Sequence, residues 1–141
     1  MKRHPALAPL SRDHHHTLLI AAQLRRATER TAQASANMFL AQWEAEERLH
    51  FRMEEELLLP AYAEHGQLDH PAIMRMLLDH VAIRGMAARL SCAHTDLLHE
   101  LGERLSEHVR LEEREVFPLI EAAMPEPELH ALGERLAASA P

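Results

Sequence analysis

The chain has 141 residues, 22 of them acidic and 15 basic, for a net charge of −7 with histidine neutral. That length predicts one domain spanning residues 1–141, the acidic balance excludes a generic nucleic-acid binder, which needs a basic face, and no run of about 18 apolar residues is present to span a membrane. Four glycines, five aromatics and abundant Ala, Leu, Glu and Arg favour helices over an all-β core.

Residues 1–9 read as an irregular arm. Ser11 is an expected N-cap, with Asp13 in the first turn at the positive end of the helix dipole. The first helix is predicted from about Arg12 to Thr31. The second starts between Ala34 and Asn37 and runs to about His65, with Phe39, Leu40, Trp43, Leu49 and Met53 at helical spacing. Gly66 is expected to close it as the C′ residue. Pro71 suits the first turn of a third helix reaching about Leu90. Ser91-Cys92-Ala93-His94 is a weak break, and a fourth helix continues to about Met124, before Pro125. A short fifth helix covers roughly 128–138. Four long helices with short connections predict an all-α, antiparallel up-down-up-down four-helix bundle with a short C-terminal helix.

The most specific feature is an internal repeat. His50-Phe51-Arg52-Met53-Glu54-Glu55-Glu56-Leu57-Leu58-Leu59-Pro60 matches His108-Val109-Arg110-Leu111-Glu112-Glu113-Arg114-Glu115-Val116-Phe117-Pro118 at an offset of 58, with His, Arg, Glu, Glu and Pro identical. In H-x-x-x-E the two side chains share one helical face, about 5–6 Å apart at Cβ, so an imidazole and a carboxylate there grip one cation. The proline ten residues after the histidine lacks an amide donor and clashes with the preceding turn. A kink or helix end is expected at Pro60 and at Pro118. A weaker echo, offset by 66, pairs Asp13-His14 and Ala21-Ala22-Gln23-Leu24 with Asp79-His80 and Ala87-Ala88-Arg89-Leu90. Of the adjacent His14, His15 and His16, only one can point inward, since neighbours differ by about 100° around the axis. The echo selects His14.

Two helical hairpins related by a pseudo-twofold axis would bring His14, His50, Glu54, His80, His108 and Glu112 into one core. Four imidazoles and two carboxylates are too rich for one tetrahedral zinc and too nitrogenous for calcium or magnesium. Two transition-metal ions bridged by Glu54 and Glu112 fit this set, with iron favoured and manganese or zinc as alternatives.

These residues, Asp-His in helices one and three and H-x-x-x-E-E…P in helices two and four, resemble the hemerythrin-like (HHE cation-binding) domain over about residues 10–124. The resemblance implies a four-helix bundle with a non-haem di-iron centre that binds dioxygen, senses oxygen, redox state or iron, or handles nitric oxide. The dioxygen carriers of that family have two histidines one turn apart on the third helix. Here the positions four residues either side of His80 are Met76 and Arg84, and Glu46, Glu47 and His15 are the candidates to fill the gap. Binding or sensing of a small diatomic ligand is expected, rather than turnover. The alternatives are a di-iron oxidase, peroxidase or nitric-oxide-handling enzyme, and a structural or regulatory bundle with a vestigial site.

Glu55 and Glu113 point about 100° away from the bridging glutamates; they read as solvated, or as acceptors for the other nitrogen of a ligand imidazole. His15, His16, His4, His65, His70, His94, His99 and His130 read as surface or supporting residues. Met53, Met74, Met76 and Met86 read as core filler. Arg25, Arg26 and Arg30 read as a solvated basic stripe on the first helix. The lone Cys92 cannot form an internal disulfide, and Met1-Lys2-Arg3-His4-Pro5 leads into no apolar signal core, so the cytoplasm is the expected compartment.

Overall fold

In the computed structural model, which describes residues 2–90 and 94–140, the chain is helical with no strand among the described residues. Cys92 and most of the expected break at 91–94 lie outside the described residues. Helix α1 is Ala8–Arg25. Helix α2 is continuous over 32–63, in which α-helical Ala32–Gln42, Arg48–Met53 and Leu59–Ala63 are joined by π turns Trp43–Glu47 and Glu54–Leu58. Helix α3 is Pro71–Arg89. Helix α4 covers 95–123, with a π turn Glu112–Val116 between Thr95–Leu111 and Phe117–Ala123. Helix α5 is Glu126–Ser139.

The buried residues of each helix step by three and four, as a core-facing stripe must. On α1 they include Leu10, His14, Thr17, Ala21 and Leu24. Two apolar clusters result, and the chain passes them in alternating order. Helix α1 enters at the first with Leu10 and leaves through the second with Ile20 and Leu24. Helix α2 runs from Phe39 and Trp43 in the second to Leu58 and Tyr62 in the first. Helix α3 runs from Ile73 and Met76 back to Ile83 and Met86, and α4 from Leu98 and Leu101 to Phe117 and Ile120. Helix α5 adds Leu129, Leu132 and Leu136 to the first cluster only. On every long helix the residues between the two clusters are the polar ones: His14 and Thr17, Glu47, His50 and Glu54, Asp79 and His80, His108 and Glu112.

Each π turn carries two consecutive four-residue steps of the buried stripe: Phe39–Trp43–Glu47, His50–Glu54–Leu58 and His108–Glu112–Val116. Two of the π turns precede a proline, and neither proline ends its helix. The Leu59 and Phe117 amides reach back to the carbonyls of Glu54 and Glu112, and the proline follows at once, where the bonding register changes and its missing N–H is least costly.

Other boundaries differ for local reasons. Helix α1 starts earlier, with Pro9 in its first turn, so Ser11 lies inside the helix and caps nothing, and Asp13 lies beyond the first turn. It stops at Arg25 because Arg26 N–H closes on the Ala22 and Gln23 carbonyls, and a turn follows in which the Thr31 hydroxyl accepts from Thr28 N–H at 2.9 Å. Arg26 and Arg30 are therefore off the helix. No glycine among the described residues has positive φ, so Gly66 is not a left-handed cap. It is needed because the Tyr62 ring closes over it, 2.3 Å from where a Cβ would sit. Gly102 serves similarly where α4 meets α1: a Cβ there would lie 2.7 Å from the Ala21 carbonyl oxygen. The expected loose arm is packed, with Leu7 fully buried. Met53, Met76 and Met86 are in the core as expected, but Met74 is 57% exposed.

Candidate metal centre

The six side chains singled out by the repeat converge. Two groups of donor atoms form, His14, His50, Glu54 and Glu112 in one and Glu54, His80, His108 and Glu112 in the other, each with its atoms within 4.8 Å of one another and every residue buried. Both carboxylates belong to both groups. The ring nitrogens facing them are the Nε2 atoms. His50 Nε2 lies 3.2 Å from Glu54, His80 Nε2 3.2 Å from Glu54, and His108 Nε2 2.9 Å from Glu112. These approaches are misaligned for hydrogen bonds, so the Nε2 atoms of His50, His80 and His108, both Glu54 oxygens and Glu112 Oε2 have no hydrogen-bond partner. Only His14 Nε2 bonds directly, to Glu112 Oε1 at 2.8 Å. Buried polar atoms without partners are costly. Six of them drawn from two overlapping donor groups are what bound cations could satisfy, and an imidazole-carboxylate set suits transition metals.

The opposite ring nitrogens are all held by carboxylates. His14 Nδ1 donates to Glu113 at 2.8 Å and His80 Nδ1 to Glu55 at 2.6 Å. His50 Nδ1 donates to Asp13 at 3.0 Å and His108 Nδ1 to Asp79 at 3.2 Å. The pattern obeys the repeat: Asp13 and Asp79 hold the histidine of their own hairpin, while Glu55 and Glu113 hold the histidine of the other. Such bonds fix the tautomer that leaves Nε2 free to coordinate. Of the two expected readings of Glu55 and Glu113, the acceptor is the one found. The Asp-His pairs were visible in the sequence, but their bonds were not, because each aspartate bonds a histidine on the next helix and not its neighbour. Arg3 and Arg84 gave no signal; they hold Glu113 and Glu55.

Burial alone would lower these imidazoles, yet the surrounding carboxylates outweigh it. Hydrogen bonds to Glu112 and Glu113 lift His14 to about 9. Glu112, Glu54 and Glu55 lift His80 to about 11. Glu112 and Asp79 lift His108 to about 9. His50 is raised well above its ordinary value by Glu54 and Asp13. Burial likewise pushes Glu113 up, but bonds from His14 and Ser11 bring it down to about 2. Glu112 lies well below the usual carboxylate range because His108 and its neighbours outweigh its complete burial. Each of these imidazoles therefore holds a proton more tightly than a free one, and metal ions must displace such protons to bind.

None of the three candidates for a further ligand joins either group. His15 is exposed, and Glu46 is exposed and paired with His16 at 2.9 Å. Glu47 is buried, but its carboxylate accepts from the Thr17 hydroxyl at 2.6 Å. Met76 lies in the apolar core. Among the histidines read as surface, His70 caps α3 by accepting from Ala72 N–H, and His99 bonds the Ala27 carbonyl. A crevice of about 330 Å³ reaches His50 from outside, between α1, α2 and α5, with Asp13 and Glu46 among its walls and Leu136 opposite.

The sequence model described as hemerythrin HHE cation binding domain matches residues 6–120. No curated protein matches the chain, and no solved structure does.

Proposed function

Because this chain belongs to the hemerythrin HHE cation-binding domain family, we propose that it is a non-haem di-iron protein that binds or senses oxygen, nitric oxide, redox state or iron. The alternating passage of α1 to α4 between the two apolar clusters supports an antiparallel up-down-up-down bundle, with α5 as an appended helix. His14 and His50 would hold one ion and His80 and His108 the other, with Glu54 and Glu112 available to both. Manganese or zinc are the alternatives to iron. The lone Cys92 supports a reducing, cytoplasmic setting.

A bound iron pair would supply redox exchange and open coordination positions for a small diatomic molecule. The chain's residues do the rest. Asp13, Glu55, Asp79 and Glu113 orient the four rings. The two apolar clusters exclude water from either side, and Phe51 stacks on His80 at 3.9 Å. The observation that carries this reading is the set of partnerless buried atoms facing one another across the bundle. Protein from an iron-replete culture should contain about two irons per chain and absorb in the near ultraviolet through oxo-to-iron charge transfer. Colourless, metal-free protein would reject it.

One observation favours a second reading, a di-iron oxidase, peroxidase or nitric-oxide-handling enzyme: each group offers only two imidazoles, and His15, Glu46 and Glu47 add nothing. Steady consumption of oxygen, peroxide or nitric oxide with an electron donor separates turnover from stoichiometric binding.

A further inference from the structure

Two arginines stand in matching arrangements around the centre. Arg84 donates from Nη1 to Glu55 Oε1 at 3.2 Å, and the other oxygen of that carboxylate accepts from His80 Nδ1 at 2.6 Å. The guanidinium of Arg84 lies 5.8 Å from the Phe51 ring centroid, and Phe51 stacks on the His80 imidazole with the planes 5° apart. On the opposite side Arg3 donates from Nη2 to Glu113 Oε1 at 3.3 Å and to the Glu113 carbonyl at 2.7 Å. Glu113 Oε2 accepts from His14 Nδ1 at 2.8 Å. Arg3 lies 5.3 Å from the Phe117 centroid, and Phe117 stacks on His14 with the planes 6° apart. In both places an arginine fixes the carboxylate behind an imidazole and covers the phenylalanine lying on that imidazole's face.

The repeat does not account for this coincidence. The offset of 58 pairs Phe51 with Val109 and Phe117 with Leu59; the offset of 66 pairs Arg84 with Leu18 and Arg3 with Asp69. Neither arginine and neither phenylalanine has a counterpart of its own type, yet the same four-part contact forms twice. A duplicated sequence would have carried both copies at matching positions. The arrangement was assembled twice from different positions, which points to a demand of the site itself.

Resting on the di-metal reading above, the geometry points to Arg84 and Arg3 as positioning residues of the metal centre. Each holds one imidazole, His80 or His14, in the orientation coordination needs, by fixing its carboxylate acceptor and by bracing its stacked phenylalanine. Arginine suits both tasks at once, because its planar fork donates in the plane while its face covers an aromatic ring. Arg3 brings the arm before α1 into the centre. A second donor nitrogen, Nη1, bonds Glu121 at 2.8 Å, and so ties that arm to α4.

The test uses the full chain loaded with cobalt(II), which shifts the Nδ1 protons of bound imidazoles into separate, solvent-exchangeable proton signals. Arg84→Met should speed solvent exchange of the His80 signal and weaken the affinity for one of the two cobalt ions about ten-fold, within the usual range for losing a group that orients a ligand. Arg3→Met should do the same to the His14 signal and leave His80 alone. Arg84→Lys should restore part of the protection, since it can still bond Glu55. If Arg84→Met leaves the His80 signal and both affinities as in the unsubstituted chain, or disturbs all four signals alike, the assignment is wrong. If the unsubstituted chain takes up no cobalt, the di-metal reading itself falls, and this assignment with it.

Discussion

The two halves of the centre are built from the same motif but are embedded differently. Asp79, which holds His108, is 3% exposed in its side chain and is clasped by Arg75 and Arg104, each at 3.0 Å. Asp13, which holds His50 through the equivalent bond, is 55% exposed and borders the crevice. The donor set is thus close to symmetric, while access to it is one-sided. Donor type is written in the repeated positions. Exposure is set by neighbours outside the repeat: Arg75 and Arg104 on one side, and the open wall formed with α5 on the other.

Several perturbations would break or sharpen that contrast. The largest effect is expected where the halves are shared. Glu54→Ala or Glu112→Ala should abolish binding of both ions, because each carboxylate serves both groups. His50→Ala or His108→Ala should cost chiefly one. Metal content after equilibrium dialysis distinguishes the cases, and equal losses would contradict the bridging assignment.

Next comes the aspartate pair. Asp79→Asn should destabilise the metal-free chain by about 2–3 kcal/mol, because the buried amide keeps only one acceptor oxygen for the buried His108 and for Arg104 and loses the charge that pairs them. Asp13→Asn should cost less than about 1 kcal/mol, as exposed pairs do. Urea unfolding of both variants measures the difference, and equal costs would show that burial does not separate the halves.

A kinetic contrast follows from the same exposure. Release to a chelator should be biphasic, one ion leaving faster through the Asp13 side. Asp13→Asn should accelerate only that phase, by about ten-fold. A single phase carrying both ions would make the two halves equivalent.

The last contrast concerns pH. Raised histidine values mean that protonation stabilises the metal-free fold. That stabilisation is complete below the unfolded value of about 6.5 and fades as pH rises through about 9 for His14 and His108, then about 11 for His80. The urea midpoint of metal-free protein should therefore fall between pH 7 and pH 10. His14→Gln should flatten the early part of that fall and His80→Gln the later part. A midpoint rising with pH would reverse the sign.

Much of this was legible in the sequence, and the limits have physical causes. The His50/Glu54 and His108/Glu112 pairs were readable because a four-residue step puts two side chains on one face whatever the tertiary context. His14 was separable from His15 and His16 only through the echo with His80; the structure buries His14 and exposes the other two. The continuation of α2 and α4 past Pro60 and Pro118 was not readable, because the cost of a proline depends on the hydrogen-bond register around it, and a π turn precedes each of the two. Gly66 was misread because a glycine at a helix end signals a left-handed cap or a close approach equally well, and Tyr62 settles which. Arg3 was invisible because its partners lie more than a hundred positions away.

The exchange of glutamates across the bundle has a consequence for chain architecture. Each cation would take its imidazoles from one hairpin and one of its carboxylates from the other, so neither hairpin holds a complete site alone. A polypeptide half as long, with a single Asp-His helix and a single H-x-x-x-E helix, would complete the same centre by pairing with a copy of itself. Fusing two such copies converts an assembly that depends on protein concentration into one that forms within a single molecule. It also frees each copy to diverge, which a homodimer's enforced identity forbids.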